Sequence, residues 1–430
     1  MRSLLIFSVL GAVQTAYGLG FDLSHINLGG FKIMAADSST PSATSSAAAT
    51  VSTGQPVLQI PPPMPATWPS VDQSKFITGD LLKDPLVQEA LAYVESVVPA
   101  SLLNLPVSTY IKDSTVQYKS DPTAYCYWPY NLCVRSAPGN GYEADVYTCP
   151  QPGTWGLAFD DGPTIDPVSH NDSIAIHTQL DAMHVKGTFF IVGSNAIQNP
   201  QIILDEYNDG QQIGVHTWTH HPLTACTNEQ IVAEIKYTEA IIYNATGQVP
   251  NFFRPPYGDI DDRVRAVLNA LGYTITIWIE DDTAADQSST SAALATKLIN
   301  QATSTWFPNS SVSFVSLSHD IDPFTSGVVL GILEYVQQHR SEIKLNIEPV
   351  GTCVNKPWYR SGISGLQNAT TTTASVSASR TGTSTLTSTN AASPTTAGSN
   401  LMSGALATSV YATLPLLASA TLILALGLAM

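Results

Sequence analysis

The chain has 430 residues, 44% hydrophobic and only 12% charged, with 34 acidic side chains against 18 basic ones and a formal net charge of −16. A soluble domain carries about 25% charged residues, so half that share means that part of this chain is either not cytosolic or not folded. So few bases in so acidic a chain supply no basic patch, which argues against nucleic-acid binding, and the length allows one large domain or two ordinary ones.

The first segment, 1–18, reads as a secretory signal: Arg2 is its basic start, Leu4 to Val13 its apolar stretch and Ala16-Tyr17-Gly18 its small-x-small cleavage site. The mature chain is therefore expected outside the cytosol. Ser38 to Thr53 is rich in Ser, Thr and Ala, a composition that buries too little apolar surface to fold and reads as an O-glycosylated spacer. From Pro56 to Val146 the pattern is sparse. Asp84-Pro85 predicts a helix start, with Val87, Leu91, Val94 and Val98 on one face. Tyr125, Tyr127, Trp128 and Tyr130 cluster around Cys126, in a disulfide-stapled loop packed on its neighbour or, alternatively, stacked on sugar rings. Residues 19–147 thus form an extension that wraps the next domain or serves as a propeptide.

Trp155 to Ile347 alternates short apolar runs with amphipathic stretches. Seven strands are predicted, at Trp155–Phe159, Thr188–Val192, Ile213–Val215, Phe252–Arg254, Tyr273–Trp278, Val312–Leu317 and Ile343–Ile347. They are too continuously apolar for one-sided sheets. Helical spacing links Ile176, Leu180 and Met183; Val264, Leu268 and Leu271; Leu294 and Leu298; and Val329, Leu333 and Val336. Thr227-x-x-Gln230 reads as a capping box opening a helix that carries Ile231, Ile235 and Ile242. Repeated strand-then-helix units imply an α/β fold with a parallel sheet, doubly wound or closed into a barrel, whose functional residues lie past the C-terminal strand ends.

Beyond the domain, 354–403 continues as a Ser/Thr-rich stalk. The end of the chain, 404–430, is uncharged and apolar, behind the small residues Gly398, Ser399, Asn400, Ser403 and Gly404. That is the pattern of a glycolipid (GPI) anchor signal, with a permanent single span as the alternative. Sequons at Asn171, Asn244, Asn309 and Asn368 are expected glycan sites. Of the five cysteines, Cys149 and Cys353 bracket the patterned domain and are expected to bridge its ends, with Cys126 and Cys133 closing a local loop and Cys226 left over.

Unusual polar residues fall at four of the predicted strand ends. Asp160-Asp161-Gly162-Pro163 follows the first strand, His216-Thr217-Trp218-Thr219-His220 the third, Arg254-Pro255-Pro256-Tyr257 ends the fourth and Ser318-His319-Asp320 the sixth. Each has an ordinary reading: a turn for the aspartates, a solvated strand end for Arg254, a core residue for Trp218 and His319, and a surface residue for His221. The His-x-x-x-His pair is more specific, because one helical turn at that spacing lets two imidazoles share a metal. Their joint appearance at successive strand ends changes the balance. A zincin protease would need glutamate where Thr217 stands, and no Gly-x-Ser-x-Gly elbow follows these strands.

Phe159-Asp160-Asp161-Gly162, His216-Thr217-x-x-His220, Arg254-x-Pro256-Tyr257 and Leu317-x-His319 together resemble the ordered motifs of the carbohydrate esterase family 4 polysaccharide deacetylases, the NodB-homology family. With its signal, stalk and anchor pattern the chain looks most like a fungal chitin deacetylase, the likeness covering 148–353. The resemblance implies a distorted (β/α) barrel of about seven parallel strands and removal of N-acetyl groups from chitin or N-acetylglucosamine oligomers. It implies a divalent ion, Zn²⁺ or else Co²⁺ or another metal, held by Asp161, His216 and His220, which activates water and polarises the acetamide. Asp160 would be the general base oriented by Arg254, and His319 the general acid with Asp281, or else Asp282, behind it. Tyr257, through its backbone N–H, and Leu317 and Trp278 would meet the substrate. The implied protein is a monomer in the cell wall and on the outer face of the plasma membrane, held by its lipid anchor. A non-catalytic chitin-binding wall protein, and a deacetylase of acetylxylan or peptidoglycan, are the alternatives.

Overall fold

The structure, a computed structural model, describes residues 56–307 and 311–360. The signal, the first Ser/Thr tract, the sequons at Asn309 and Asn368, the stalk beyond residue 360 and the apolar tail lie outside the described residues, whereas 354–360, expected as the start of the stalk, pack on the domain through Tyr359 and Arg360. Among the described residues no helix is long and apolar enough to cross a membrane.

In the extension, Asp84 caps the helix Pro85–Val97 by accepting from the Leu86 N–H, and Leu86, Val87, Ala90 and Val94 are buried. A hairpin follows, β1 (Thr109–Lys112) against β2 (Thr115–Gln117). Next comes a loop closed by the Cys126–Cys133 disulfide. The expected Cys149–Cys353 bridge is also present, and Cys226 is a buried free thiol.

All seven predicted strands have counterparts, and every pairing between them is parallel. The first is β3 (Thr154–Gly156) and β4 (Ala158–Asp160), followed by β5 (Thr188–Ile191), β6 (Gln212–Val215) and β7 (Phe252–Phe253). Then come β8 (Thr274–Ile275), β9 (Glu280–Asp281), β10 (Phe314–Leu317) and β11 (Asn346–Glu348). One run of pairs is β4-β5-β6-β7-β8 and the other β11-β3-β10-β9. A parallel bridge between Asp160 and His319 joins the two runs, in keeping with the expected distorted barrel.

The distortion has two sources. The first predicted strand is interrupted at Leu157, whose N–H donates to the Glu348 carbonyl while its own carbonyl accepts from Thr188, so the strand changes partners midway. The fifth is split because Val146 pairs with the stretch around Thr276, its N–H donating to the Ile275 carbonyl and its carbonyl accepting from Ile277. Pairing resumes only at β9, beyond the predicted limit of Trp278.

The predicted helix faces point inward: Ile176, Leu180, Val264, Leu268, Leu271, Leu298, Val329, Leu333 and Val336 are all buried. Thr227 and Gln230 form the capping box of the helix Asn228–Thr246. That helix is buried nearly all round, because the extension helix Pro85–Val97 covers the side that would otherwise face water. The extension therefore wraps the barrel, and the stapled loop packs onto it with Trp128 against Trp278.

The helix Pro200–Asn208 buries Glu206 completely, and neither of its carboxylate oxygens has a hydrogen-bond partner. Burial first, then the charges of Asp320, Asp205 and Asp209, pushes its pKa well above the ordinary carboxylate range. A raised acid contributes stability that is present below its unfolded pKa and is lost as pH rises through the folded one. Glu206→Gln should therefore gain stability over the native protein as pH is raised from about 5 to about 8, measured by urea denaturation. A difference that does not change with pH would contradict the assignment.

Candidate active site

The four polar strand ends do converge. Asp160 ends β4 and Asp161 follows it with φ at 83°; the Asp161 N–H donates to the Phe190 carbonyl. The next residue is a glycine of necessity, since a Cβ on Gly162 would stand 2.1 Å from Asp320 Oδ2. The Gly162 N–H donates to Asp320 Oδ1, and Ser173 Oγ donates to Oδ2. Burial, above all, raises the Asp320 carboxyl to about 7.

Asp161, His216 and His220 form the one His/Cys/Asp/Glu cluster with metal-ligand spacing among the described residues. Asp161 Oδ1 lies 2.9 Å from His220 Nε2 and 3.3 Å from His216 Nε2, and the two nitrogens are 3.3 Å apart. His216 Nδ1 donates to the Arg254 carbonyl at 2.7 Å, a pure acceptor, so the proton of the neutral ring sits there and Nε2 carries its lone pair inward. Asp161 Oδ1 is buried and receives no hydrogen bond of normal geometry from either ring. An orphaned carboxylate oxygen and converging imidazole nitrogens fit a divalent ion.

The helical turn expected for His216–His220 is not present. The segment is an irregular loop, with Thr217 at φ 68° and His220 at φ 59°, in the left-handed region that non-glycine residues seldom occupy. Its backbone is satisfied from elsewhere. Trp218 and Thr219 donate their N–H groups to Glu234 Oε2, both at 2.8 Å, and Thr219 Oγ1 donates to Glu234 Oε1. Burial raises the Glu234 pKa in spite of those three donors. Gly193 donates to the Thr217 carbonyl and Ser194 to that of Trp218. Trp218 is fully buried against Gly193, where a Cβ would come within 2.4 Å of its ring.

His221, expected at the surface, is buried instead. Its Nδ1 meets Thr219 Oγ1 at 2.7 Å, and desolvation holds its pKa down at about 4, so it is a neutral part of the loop's support. Arg254 is likewise no solvated strand end. It is wholly buried, donating from Nη1 to Asp160 Oδ1 at 2.9 Å and from Nη2 to the Ser316 carbonyl at 3.2 Å, with its guanidinium over the Phe190 ring. The other carboxylate oxygen, Asp160 Oδ2, lies 3.7 Å from His216 Nε2.

His319 follows β10 and is bridged to Asp160. Its Nδ1 has no hydrogen-bond partner. Burial pulls the imidazole pKa down, but Asp161, Asp160, Asp282 and Asp281 together carry it above the ordinary value. Asp281 uses Oδ1 to accept from the Thr283 N–H at 2.6 Å, and burial raises it to about 6. Asp282 is the more buried, also raised, and its Oδ2, beside Ser318, makes no hydrogen bond of normal geometry. Tyr257, at φ 58° and 38% exposed, has its hydroxyl 3.1 Å from His220 Nδ1. Leu317 is buried at the end of β10, and Trp278 is partly exposed beside Arg254.

Glu234 and Asn195 escaped the sequence reading. Asn195 Nδ2 donates to the Asp161 carbonyl at 2.8 Å. Both residues sit in ordinary helical sequence, and only a buried acid in a predicted apolar helix could have flagged Glu234.

A carboxylate–diimidazole site at the C-terminal mouth of a parallel α/β barrel, beside a second, arginine-paired carboxylate, defines the class of metal-dependent hydrolases. Comparison with known proteins narrows it. Residues 148–276 match the family profile described as polysaccharide deacetylase. The chain is 31% identical over 329 residues to chitin deacetylase 2 of Cryptococcus neoformans var. grubii, covering 71% of this chain and 69% of that one. It is 29% identical over 401 residues to chitin deacetylase 1 of the same fungus, covering 86% and 80%. Among solved structures, the chitin deacetylase of Colletotrichum lindemuthianum aligns with a TM-score of 0.44 and 23% identity over 50% of this chain and 94% of that one. The chain belongs to the polysaccharide deacetylase family.

Glu234→Ala strands two buried amide N–H groups and one hydroxyl, each costing about 1–3 kcal/mol when unmet. The variant should lose about 3 kcal/mol or more in chemical denaturation. A loss below about 1 kcal/mol would mean that the histidine loop is held by something else.

Proposed function

We propose that the protein removes N-acetyl groups from N-acetylglucosamine units of chitin, leaving glucosamine units and acetate, as a cell-wall-modifying enzyme. The observation that carries this reading is the Asp161–His216–His220 cluster lying against the Arg254-paired Asp160. The fungal relatives named as chitin deacetylases supply the substrate.

One carboxylate and two imidazoles suit Zn²⁺, with Co²⁺ or another divalent ion as alternatives. When bound, such an ion would polarise the acetamide carbonyl and acidify a water. Arg254 holds Oδ1 of Asp160, so Oδ2 is the oxygen left to take the proton of that water. As water adds to the carbonyl carbon, negative charge develops on the carbonyl oxygen, which the Tyr257 backbone N–H would stabilise. The carbon–nitrogen bond then breaks. His319 gives its proton to the departing nitrogen, so that the sugar leaves as a neutral amine and the acyl group as acetate. Asp281 or Asp282 would support His319 in that role, as the carboxylate behind the acid. Leu317 and Trp278 wall the acetyl and sugar positions.

The signal, stalks and apolar tail support secretion and retention in the cell wall, on the outer face of the plasma membrane, through a glycolipid anchor, as a monomer whose catalytic domain spans 148–353. Asn244, exposed in the last turn of its helix, and Asn171 are the glycan acceptors proposed within that domain, with Asn309 and Asn368 beyond the described residues.

Acetate release from chitin oligomers tests the reading directly, with acetylxylan and peptidoglycan run in parallel. Asp160→Asn should lower kcat about 10²–10⁴-fold, and a chelator should abolish activity that added Zn²⁺ restores. Release from none of the three substrates would leave a binding protein, and activity indifferent to chelation would remove the metal. The acid limb has its own check. Replacing the carboxylate that supports His319 lowers the histidine pKa, so of Asp281→Asn and Asp282→Asn made separately, the one that moves the basic limb of the pH–rate profile to lower pH identifies the partner, Asp281 being expected, and a shift in neither would remove that support.

A further inference from the structure

The segment Trp68–Ile77 lies outside the stretch matched by the family profile, yet it touches residues that flank or support the proposed metal ligands. Trp68 stacks on Trp218, with ring centroids 5.7 Å apart and planes within 12°. Trp218 in turn donates its indole N–H to the Ser70 carbonyl at 2.8 Å. Trp218 is the middle of the His216–His220 loop, so both of its faces are set by partners outside the loop: Gly193 on one side, the extension on the other. Phe76 stacks on His221, the residue after His220, at 3.7 Å. Gln73 Nε2 donates to Ser194 Oγ at 2.9 Å and to Asn195 Oδ1 at 3.3 Å, and it is Asn195 that holds the Asp161 carbonyl. The far end of the segment is pinned, with Ile77 buried and its carbonyl accepting from Gln230.

We infer that Trp68, Gln73 and Phe76 are positioning residues of the metal centre, a strap that fixes the ligand loop from outside the barrel. The loop needs one. It has no helical hydrogen-bond ladder, and two of its residues hold left-handed backbone angles that persist only where the surroundings over-determine them. Packing of Trp218 and His221 is therefore what sets the separation of the two imidazoles, and the Gln73–Asn195 bond sets the peptide that carries Asp161. The extension is then a built part of the site rather than a propeptide to be discarded.

The inference rests on the metal reading, and one titration separates the two. The dissociation constant for Zn²⁺ is measured on the full chain by competition with a chromogenic chelator, alongside the melting temperature of the metal-free protein. Trp68→Ala and Gln73→Ala should each weaken Zn²⁺ about 10–100-fold, the range typical of lost support behind metal ligands. Trp68→Phe should recover most of the loss. Gln88→Ala, which breaks bonds to Glu229 on the helix Asn228–Thr246 and to the Leu82 carbonyl within the extension, should leave the constant within about twofold. Wild-type protein that binds no Zn²⁺ overturns the metal reading and the strap with it. Wild-type binding with both Trp68→Ala and Gln73→Ala within about twofold overturns the strap alone. Should Trp68→Ala fail to fold, Gln73→Ala, a part-exposed polar side chain, decides the question by itself.

Discussion

Three electron-rich atoms, Asp161 Oδ1 and the Nε2 atoms of His216 and His220, stand within 3.3 Å of one another in a buried setting. Lone pairs pressed together away from water are unfavourable unless a cation or a proton lies between them, and at least His216 has its proton committed elsewhere. Much of the surrounding structure is what it takes to maintain that crowding. The left-handed residues Asp161, Thr217, His220 and Tyr257 all border the cluster, so the strain of the backbone is concentrated where the ligands are aimed.

The acids around the site are sorted by their surroundings. Asp160 is buried with a guanidinium against it. Asp281, Asp282 and Asp320 have backbone N–H or hydroxyl donors but no cation in contact, and burial raises all three. The same type of side chain thus serves as a base in one position and as a structural or charge-balancing group in the others. Arg254 sustains this arrangement with more than charge: its carbonyl fixes the tautomer of His216 while its side chain fixes Asp160.

The barrel owes its distortion to segments that compete for its strand edges. Val146 occupies part of the fifth strand, and β11 takes the first half of the first. The Asp160–His319 bridge joins the two runs of strands and brings the proposed base and acid side by side. Irregular pairing and catalytic geometry are therefore one feature here. The extension adds to it by covering the long helix Asn228–Thr246, which lets Glu234 remain buried and hold the histidine loop from beneath.

Much of this was legible in the sequence. Apolar periodicity located the seven strands and the buried helix faces, because a parallel sheet covered on both sides imposes the same local pattern wherever it occurs. The cysteines bracketing the domain gave one disulfide and the close pair Cys126 and Cys133 the other, and Thr227 with Gln230 gave a helix start, since capping is settled within four residues. The motif residues at the strand ends were identified as candidates for the same reason: topology alone sends strand ends to one mouth. The form of the His216–His220 loop, the burial of His221 and Arg254, and the parts played by Glu234, Asn195 and Trp68 were decided only in three dimensions. Each depends on a partner far away in the chain, and local sequence carries no record of which distant side chain will satisfy a buried polar group or cover an indole face.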